Sequence, residues 1–411
     1  TEMCKMRAFV DLWDEILKQR YGVEDPKFRR FRYGVQVNSL GLTEQQPENN
    51  VYRILVEMLA VTLSKKARAR AVQLPAWNEA LGPPRPWDQQ WSMRMQQIVA
   101  FETDLLEYED LFDGNQVVDA KVESLKASAR YELETIETQG GALNAIEYMK
   151  SRLVESNTDR LQNIENNYTT VVGVNKFTNT EKSPLVSGDG GIMVVDPSVE
   201  KDQIDRLNLW RSKRDQKLVN KALFKLKKAA LDGQNIMPSS IEAAKAGATT
   251  GEWAQEIRNV YGEYRGPTGV ATGVSNKTDG LEELRSAVDA VSDKLGERLK
   301  FLIGKPGLDG HSNGAEQIAS RARDCGMKIE YEGIRLTPKE LVETVKATKA
   351  HVVGLSILSG SHIPLVQDMV SLLAKEGLTK IPIVVGGIIP EEDKIKLLKM
   401  GVSKVYTPKD F

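Results

Sequence analysis

One loop in the last third of the chain places a carboxylate two residues before a histidine. Asp309 and His311 lie in the segment 304–314, whose four glycines let the backbone approach a large ligand closely. In an extended loop the carboxylate can reach one imidazole nitrogen and leave the other free to ligate a metal. A glycine-rich turn with a surface histidine accounts for the same residues equally well. The spacing alone therefore leaves both interpretations open.

Small residues follow two other strand-like stretches. Residues 356–362 read Ser-Ile-Leu-Ser-Gly-Ser-His, and residues 386–387 are both glycine. Such residues would leave a slot beside the first loop, although ordinary strand-to-helix turns with a serine cap have the same composition. The histidines His311, His351 and His362 all lie in this region but are too scattered for a zinc site. A phosphoacceptor domain is disfavoured because the third strand ends in serine and leucine instead of aspartate.

The elements that must position these loops form the clearest pattern in the sequence. Between residues 299 and 411, five strand-like stretches alternate with four helical ones at short spacing. Right-handed crossovers would build a flavodoxin-like doubly wound parallel sheet, which binds ligands at the carboxyl ends of its strands. The predicted strands cover residues 300–304, 327–331, 351–358, 381–385 and 404–406. The predicted carboxyl-end loops are 304–314, 356–362, 386–390 and 407–410.

The N-terminal part of the chain alternates helix, strand and loop. Helices are predicted at residues 6–19 and 50–66 and from residue 87 towards 108, and strands at 33–37 and 70–74. This rhythm is typical of a β/α (TIM-type) barrel or a parallel sheet. In both, the loops that follow the strands carry the functional polar groups.

The middle of the chain, residues 116–265, is predicted to be mostly helical. A strand-like stretch at 169–174 interrupts it, residues 199–232 are expected to form one strongly charged helix, and 239–264 two shorter ones. Residues 266–278 are rich in glycine, threonine and serine and are the best candidate for a linker.

Composition sets limits on function. The chain has 411 residues, with 56 basic and 57 acidic side chains and a formal net charge of −1. This balance argues against nucleic-acid binding, which needs a basic surface. Cys4 and Cys325 cannot build a disulfide framework and indicate a reducing compartment, and no apolar run is long enough to span a membrane. We therefore expect two or three domains, no membrane or nucleic-acid partner, and a cytoplasmic location.

The motif Asp-Gly-His-Ser-Asn-Gly at residues 309–314, followed by the Ser-x-Leu and Gly-Gly loops, resembles the cobalamin-binding domain of base-off/His-on corrinoid enzymes. The resemblance implies that His311 is the lower axial ligand to cobalt and that Asp309 hydrogen-bonds its imidazole. It also implies a slot for the nucleotide tail of the cofactor. The residues assigned to the cofactor site are Asp309, Gly310, His311, Gly314, Ile318, Ser356, Leu358, Gly360, Gly386, Gly387 and Tyr406.

Three N-terminal stretches, 30–39, 42–50 and 71–80, look like the later strands of the barrel in adenosylcobalamin-dependent acyl-CoA mutases. This resemblance implies catalytic positions for Gln36 and Glu79, which would hold the ribose of adenosylcobalamin. On residue type alone, loop groups that satisfy the backbone at strand ends are the better explanation of both. The implied activity is a radical rearrangement of the carbon skeleton of an acyl-CoA, for which the cofactor carries the difficult chemistry.

Departures from methylmalonyl-CoA mutase narrow the expected substrate. That enzyme carries His-x-Gln where this chain has Gly-Val-Gln at 34–36, and His-Thr-Asn where this chain has Gln-Leu-Pro at 73–75. With residues 331–338, 358–362 and 406–411, these variants look like the branch of the family that interconverts ethylmalonyl-CoA and methylsuccinyl-CoA. Two alternatives stay open. One is a mutase of methylmalonyl-CoA or another short branched acyl-CoA, and the other is a non-catalytic corrinoid carrier or sensor.

The resemblance divides the chain into four parts and implies its partners. The parts are a partial mutase barrel (1–115), a helical region (116–265), a linker with a helix (266–298) and a cobalamin-binding flavodoxin-like domain (299–411). The implied partners are an acyl-CoA substrate, a second copy in a homodimer of the full-length parent, and a cobalamin-loading GTPase chaperone. The chain opens at Thr1 without methionine and stops before an expected fifth helix. We therefore expect a fragment with cobalamin-site features but no mutase activity alone.

Overall fold

The computed structural model describes residues 1–181, 183–186, 191–193, 196–270 and 281–407. Their contacts form two compact units, residues 1–193 with 267–411, and residues 194–266. The helices are α1 (Glu2–Gln19), α2 (Asn49–Thr62), α3 (Pro86–Phe101), α4 (Gln116–Thr138), α5 (Ile146–Glu165), α6 (Pro197–Lys213), α7 (Gln216–Leu231), α8 (Met237–Ala246), α9 (Thr250–Tyr261), α10 (Glu282–Leu295), α11 (Asn313–Asp324), α12 (Pro338–Thr348), α13 (His362–Lys375) and α14 (Glu391–Lys399). The strands are β1 (Tyr33–Gln36), β2 (Ala69–Gln73), β3 (Lys300–Gly304), β4 (Lys328–Tyr331), β5 (Val352–Ile357), β6 (Ile383–Gly387) and β7 (Lys404–Tyr406).

The strands β3 to β7 form one parallel sheet in the order β4–β3–β5–β6–β7. This is the flavodoxin-like order, so the predicted α/β fold with a doubly wound sheet is confirmed. Side chains of a strand alternate between the two faces of the sheet. Val353, Leu355 and Ile357 of β5 therefore share one face, where they pack in a core with α12, α13 and α14. On the other face, α11 packs against β3 through Ala315 and Ile303.

The N-terminal part contains two consecutive βα units, as the sequence predicts for a segment of a β/α barrel. β1 and β2 pair in parallel, with α2 between them in the chain and α3 after β2. Ile54 of α2 and Val99 of α3 pack in one core with Val37. α3 ends at Phe101, earlier than predicted, and just beyond it the hydroxyl of Thr103 donates to the carbonyl of Val99 (2.6 Å).

The strand predicted at residues 169–174 is absent from the structure. Val172 makes only an isolated bridge to Lys176. The side chain of Asn175 takes over the backbone groups that a neighbouring strand would satisfy, since its Oδ1 accepts from Val171 N (2.8 Å) and its Nδ2 donates to Thr169 O (2.8 Å). A side chain that satisfies the local backbone favours a turn over a strand.

The single helix predicted at residues 199–232 is two helices, α6 and α7. Asp215 caps the start of α7 by accepting from Lys217 N (2.8 Å) and Leu218 N (3.2 Å). Arg214 has extended backbone angles and pairs with Glu252 at 2.5 Å. A cap and a buried-arginine ion pair therefore break a stretch that has continuous helical periodicity. The two shorter helices expected at 239–264 are present as α8 and α9.

Some predictions lie outside the described residues. These are most of the predicted linker, residues 271–278, and residues 408–410 of the last carboxyl-end loop. The four domain boundaries proposed from the sequence stay predictions. Among the residues that the structure describes, no helix is both long and apolar enough to cross a membrane.

Candidate functional site

The first carboxyl-end loop of the sheet follows β3 directly and is tied to the core. Gly307 N donates to Leu336 O (2.9 Å), and Leu336 N donates to Lys305 O (3.2 Å). Because Leu336 is buried, this ladder fixes the path of the loop. The chain needs glycine at residue 307, where φ is 90°. The loop then leads through Asp309 and His311 into α11.

Asp309 connects the loop to its surroundings through both carboxylate oxygens. Its Oδ1 accepts hydrogen bonds from the backbone N–H of His311 (3.0 Å) and from Nδ1 of the same residue (2.7 Å). Its Oδ2 accepts from Nζ of Lys305 (2.5 Å) and from the N–H of Leu358 (3.3 Å). The carboxylate therefore links β3, the histidine loop and the end of β5.

The contact between Asp309 and His311 determines the state of the imidazole. A carboxylate only accepts hydrogen bonds, so in the neutral imidazole Nδ1 carries the proton and Nε2 keeps a lone pair. The His311 side chain is 79% exposed, whereas the Asp309 side chain is 4% exposed. A well-held ring with an available nitrogen is the arrangement of a metal-ligating histidine with its carboxylate partner. The spacing predicted this contact, and the ligand role of His311 stays a prediction.

Lys305 is a residue of the site that the sequence reasoning missed. Its side chain is fully buried and pairs with Asp309, whose side chain is 4% exposed. Burial alone would raise the pKa of Asp309, but hydrogen bonds from Lys305 and His311 outweigh it and lower the pKa to about 2. The only sequence signal is a lysine that directly follows an apolar strand, four residues before Asp309, and such lysines are normally exposed.

The face of the sheet that carries α11 also carries a row of residues from three strands. The register pairs Ser356 with Gly386, and Gly386 with Tyr406. By alternation, this row lies opposite the core residues Leu355 and Val385. We call the following predicted residues the slot: Gly310, Gly314, Ile318, Ser356, Leu358, Gly360, Gly386 and Gly387.

The fold requires glycine at some residues of the slot but not at others. At Gly387, an added Cβ would lie 1.8 Å from the carbonyl oxygen of Ile357, so the sheet itself requires glycine. At Gly314 and Gly360, an added Cβ would meet no atom of the described residues within 4 Å. Gly314 is the second residue of α11, where glycine lowers helix stability by about 0.5–1 kcal/mol relative to alanine. Glycines that the fold does not need fit the close approach of a large ligand.

The residues predicted from the N-terminal stretches lie at the ends of β1 and β2. Glu79 is half-buried in the turn after β2, where burial raises the pKa of its carboxyl overall, although a hydrogen bond with Ser39 and a protonated His311 act to lower it. Glu79 and His311 are therefore close enough to interact electrostatically. Gln36 pairs in register with Gln73 and is exposed on a cavity of about 790 Å³. Within the described residues, its side chain makes no hydrogen bond to Glu79 or His311.

A buried carboxylate that the sequence did not single out fixes the turn that carries Glu79. Asp88 is fully buried and accepts from Nε1 of Trp77 (2.9 Å), Nδ2 of Asn78 (2.8 Å) and the backbone N–H of Arg85 (2.8 Å). Burial raises the pKa of Asp88, but these hydrogen bonds and the one from the Arg85 side chain lower it overall. The network holds the two residues before Glu79 in place.

The potential metal ligands that the structure describes near His311 are too few to hold a metal ion by themselves. Among the described residues, no group of three or more His, Cys, Asp or Glu could enclose a bare metal ion. One exposed imidazole beside unfilled glycines can instead add a single ligand to a metal that a large organic group already holds. The residues present therefore fit a corrinoid, for which His311 would be the protein ligand.

Comparisons with known proteins agree with this geometry. Residues 1–263 match the family model described as methylmalonyl-CoA mutase, and residues 299–408 match the model of the B12 binding domain. Over its full length, the chain is 68% identical to an ethylmalonyl-CoA mutase of Cereibacter sphaeroides and 61% identical to one of Methylorubrum extorquens. It is 31% identical to the methylmalonyl-CoA mutase of Escherichia coli over 98% of its length.

The chain spans about three fifths of the length of these curated relatives. It covers 63% of the Cereibacter protein, 60% of the Methylorubrum protein and 57% of the Escherichia protein.

We expect Asp309 to make stability depend on pH in the acid range. Its folded pKa of about 2 lies below the ordinary value of 3.8. Its contribution, about 2 kcal/mol, is therefore complete above about pH 4 and is lost as the pH falls towards about 2. In Asp309→Asn, the unfolding free energy measured in urea should fall less between about pH 5 and pH 3 than in the wild type.

The exposed Asp293 of α10 provides the control for this measurement. Asp293→Asn should keep the wild-type dependence on pH, because an exposed carboxyl without a buried partner contributes little. An equal pH dependence of Asp309→Asn and the wild type would contradict the assignment of a buried ion pair to Lys305 and Asp309.

Proposed function

The chain belongs to the methylmalonyl-CoA mutase family, and we propose that its protein is an adenosylcobalamin-dependent mutase that interconverts ethylmalonyl-CoA and methylsuccinyl-CoA. The observation that carries this proposal is the exposed His311, whose Nδ1 is held by Asp309 and whose Nε2 is available beside the slot. The higher identity to ethylmalonyl-CoA mutases than to a methylmalonyl-CoA mutase supports the choice of substrate.

The cobalamin site is proposed to use three linked side chains. His311 would ligate cobalt through Nε2, Asp309 holds the ring, and Lys305 holds Asp309. The carboxylate on Nδ1 fixes the tautomer and orientation of the imidazole, while the buried lysine keeps that carboxylate ionised. The slot would receive the nucleotide tail. When bound, adenosylcobalamin supplies a carbon-centred radical, and the protein supplies binding, orientation and exclusion of water.

The N-terminal residues are proposed to position the adenosyl group. The carboxylate of Glu79 can accept hydrogen bonds from ribose hydroxyls, and Gln36 can donate and accept them. Asp88 holds the turn that contains Glu79, and His311 is close enough to Glu79 to interact with it electrostatically. Placing the ribose between the two parts of the site would keep the reactive carbon within reach of both metal and substrate.

Gly34 supports a substrate with a larger acyl branch. It lines the same cavity as Gln36, two residues away. An added Cβ at this residue would meet Ala71 at 3.7 Å, an ordinary contact, so the strand does not require glycine there. The histidine that methylmalonyl-CoA mutase carries at this point would fill space that an ethyl group can use here.

The two alternatives have less support. A methylmalonyl-CoA mutase would need a reason for the open space at Gly34, and the relatives of that name share less identity with this chain. A corrinoid carrier or sensor does not need the N-terminal βα units or Glu79 near His311. From family membership alone, we also propose a homodimer, loading of the cofactor by a GTPase chaperone and a cytoplasmic location.

Replacing the proposed axial ligand should remove nitrogen ligation. We expect His311→Ala to lose the absorption spectrum of histidine-ligated cobalamin and to bind cobalamin about 10–100-fold more weakly, the usual range for altered metal-site partners. His351→Ala is the matched control, because His351 lies at the opposite edge of the sheet, where its Nδ1 accepts from Lys300 N. An unchanged spectrum and affinity in His311→Ala would refute the ligand assignment.

Filling the unneeded space at Gly314 should separate stability from binding. We expect Gly314→Ala to stabilise the apo protein by about 0.5–1 kcal/mol and to weaken cobalamin binding. Gly251→Ala is the matched control, since Gly251 is likewise the second residue of its helix. An added Cβ there would meet a single atom of the described residues, at 4.0 Å. Gly251→Ala should stabilise to a similar degree and leave binding unchanged. Undiminished cobalamin affinity in Gly314→Ala would count against the slot.

Turnover by the intact protein decides the substrate. We expect kcat/KM for ethylmalonyl-CoA to exceed that for methylmalonyl-CoA by about 10–200-fold, the range that one methylene gives in a fitted pocket. Gly34→Ala should reduce the value for ethylmalonyl-CoA more than that for methylmalonyl-CoA. Equal or higher efficiency with methylmalonyl-CoA would sink the ethylmalonyl assignment, and cobalamin binding without any turnover would favour the carrier or sensor.

A further inference from the structure

A second histidine–carboxylate pair lies at the same edge of the sheet as His311, and its histidine is buried. His362 is the first residue of α13, and its side chain is 4% exposed. Its Nε2 lies 2.8 Å from Oδ2 of Asp393 in the first turn of α14. Its Nδ1 is buried and has no hydrogen-bond partner among the described residues. The reaction proposed above assigns no role to this pair.

The chemistry of the contact defines the state of His362. The carboxylate accepts, so Nε2 carries the proton and Nδ1 holds an unused lone pair. A charged ring would instead bury an unpartnered N–H donor, which is the more costly arrangement. Asp393 is also paired with Lys396 (2.7 Å). Burial raises the pKa of Asp393, but the hydrogen bonds from Lys396 and His362 lower it overall.

The pair joins the loops that follow β5 and β6, which contain or directly adjoin four of the eight slot residues. The loop before His362 contains Leu358 and Gly360, and the loop before α14 follows Gly386 and Gly387. The first of these loops is also tied to the histidine loop, since Leu358 N donates to Asp309. Two carboxylates thus connect three carboxyl-end loops in series.

Stability alone does not explain a polar pair at this place. A well-packed apolar pair of similar volume is often as stable as a buried polar or ionic pair, so polar groups are most informative where they fix geometry. Within the part of the chain that the structure describes, the side chain of Ser361 makes no capping hydrogen bond at the start of α13. His362 is therefore the polar side-chain anchor of the helix start that follows the slot loop.

We propose that His362 and Asp393 are positioning residues that set the distance between the slot loops and thereby the affinity for the nucleotide tail of cobalamin. This inference rests on the proposed function, because the tail is the proposed occupant of the slot. The pair acts through Leu358, Gly360, Gly386 and Gly387 and does not touch the cobalt ligand.

The experiment compares two histidines of one sheet in the intact protein. His362→Phe keeps the ring volume but removes the donor to Asp393. His351→Phe is the matched control, since His351 is also partly buried and also faces an acid, Glu297, but at the amino edge of the sheet. The measurements are affinity for cobalamin, affinity for cobinamide, which lacks the nucleotide tail, the spectrum at saturation, and thermal unfolding of the apo protein.

We expect His362→Phe to bind cobalamin about tenfold more weakly and cobinamide about as well as the wild type. At saturation it should keep the spectrum of histidine ligation, because His311 is intact. His362→Gln, which retains a donor towards Asp393, should recover most of the affinity. His351→Phe should lower thermal stability to a similar extent without changing the ratio of the two affinities. If His362→Phe does not fold, Asp393→Asn tests the same pair and should change the ratio in the same direction.

Two negative results have different meanings. A wild-type protein that binds neither corrinoid would overturn the proposed function itself. A wild-type protein that binds cobalamin, with equal cobalamin-to-cobinamide ratios in the wild type, His362→Phe and Asp393→Asn, would overturn the role of the pair and leave the proposed function intact.

Discussion

The buried ion pair between Lys305 and Asp309 is the interaction on which the site depends. Two charges out of water carry a desolvation cost that only close pairing and complete hydrogen bonding offset. Asp309 meets that requirement with four donors: the ammonium of Lys305, the ring and the backbone of His311, and the backbone of Leu358. The same four contacts select the imidazole tautomer and join the histidine loop to the end of β5. The hydrogen bonds that offset the desolvation cost are therefore the same ones that set the geometry of the site.

The parallel sheet gives this arrangement its surroundings. Its carboxyl edge collects loops that are far apart in sequence, and its strands offer one face to the core and the other to a ligand. On β5 the alternation is sharp, because Leu355 and Ile357 face the core while Ser356 faces the slot. Gly387 is glycine for the sheet and Gly314 is glycine without a neighbour. Glycine at residue 387 lets β5 and β6 approach each other closely. The open space at Gly314 supports a ligand-binding role.

Much of this could be predicted from the sequence, for reasons that apply residue by residue. The sheet order followed from apolar strands at short spacing, and the contact of Asp309 with His311 followed from their separation by two residues. Burial of a charged group follows no such period, so the roles of Lys305 and Asp88 could not be predicted: the full burial of Lys305 is seen only in the fold, and Asp88 accepts a hydrogen bond from Trp77, eleven residues before it. The strand predicted at residues 169–174 and the single helix predicted at 199–232 were wrong. In each case one side chain, Asn175 or Asp215, satisfies the local backbone against the pattern of its neighbours.

The two oxygens of Asp309 have a mechanical consequence. Oδ1 is bonded to the imidazole, and Oδ2 is bonded to the ammonium of Lys305 and to the backbone at the end of β5. A force that pulls the ring of His311 outward is therefore transmitted through one rigid carboxylate to the strand and its loop. The position of a bond formed at Nε2 therefore depends on the end of β5 as well as on the histidine loop, because the hydrogen bonds of Asp309 couple a displacement of the ring to both.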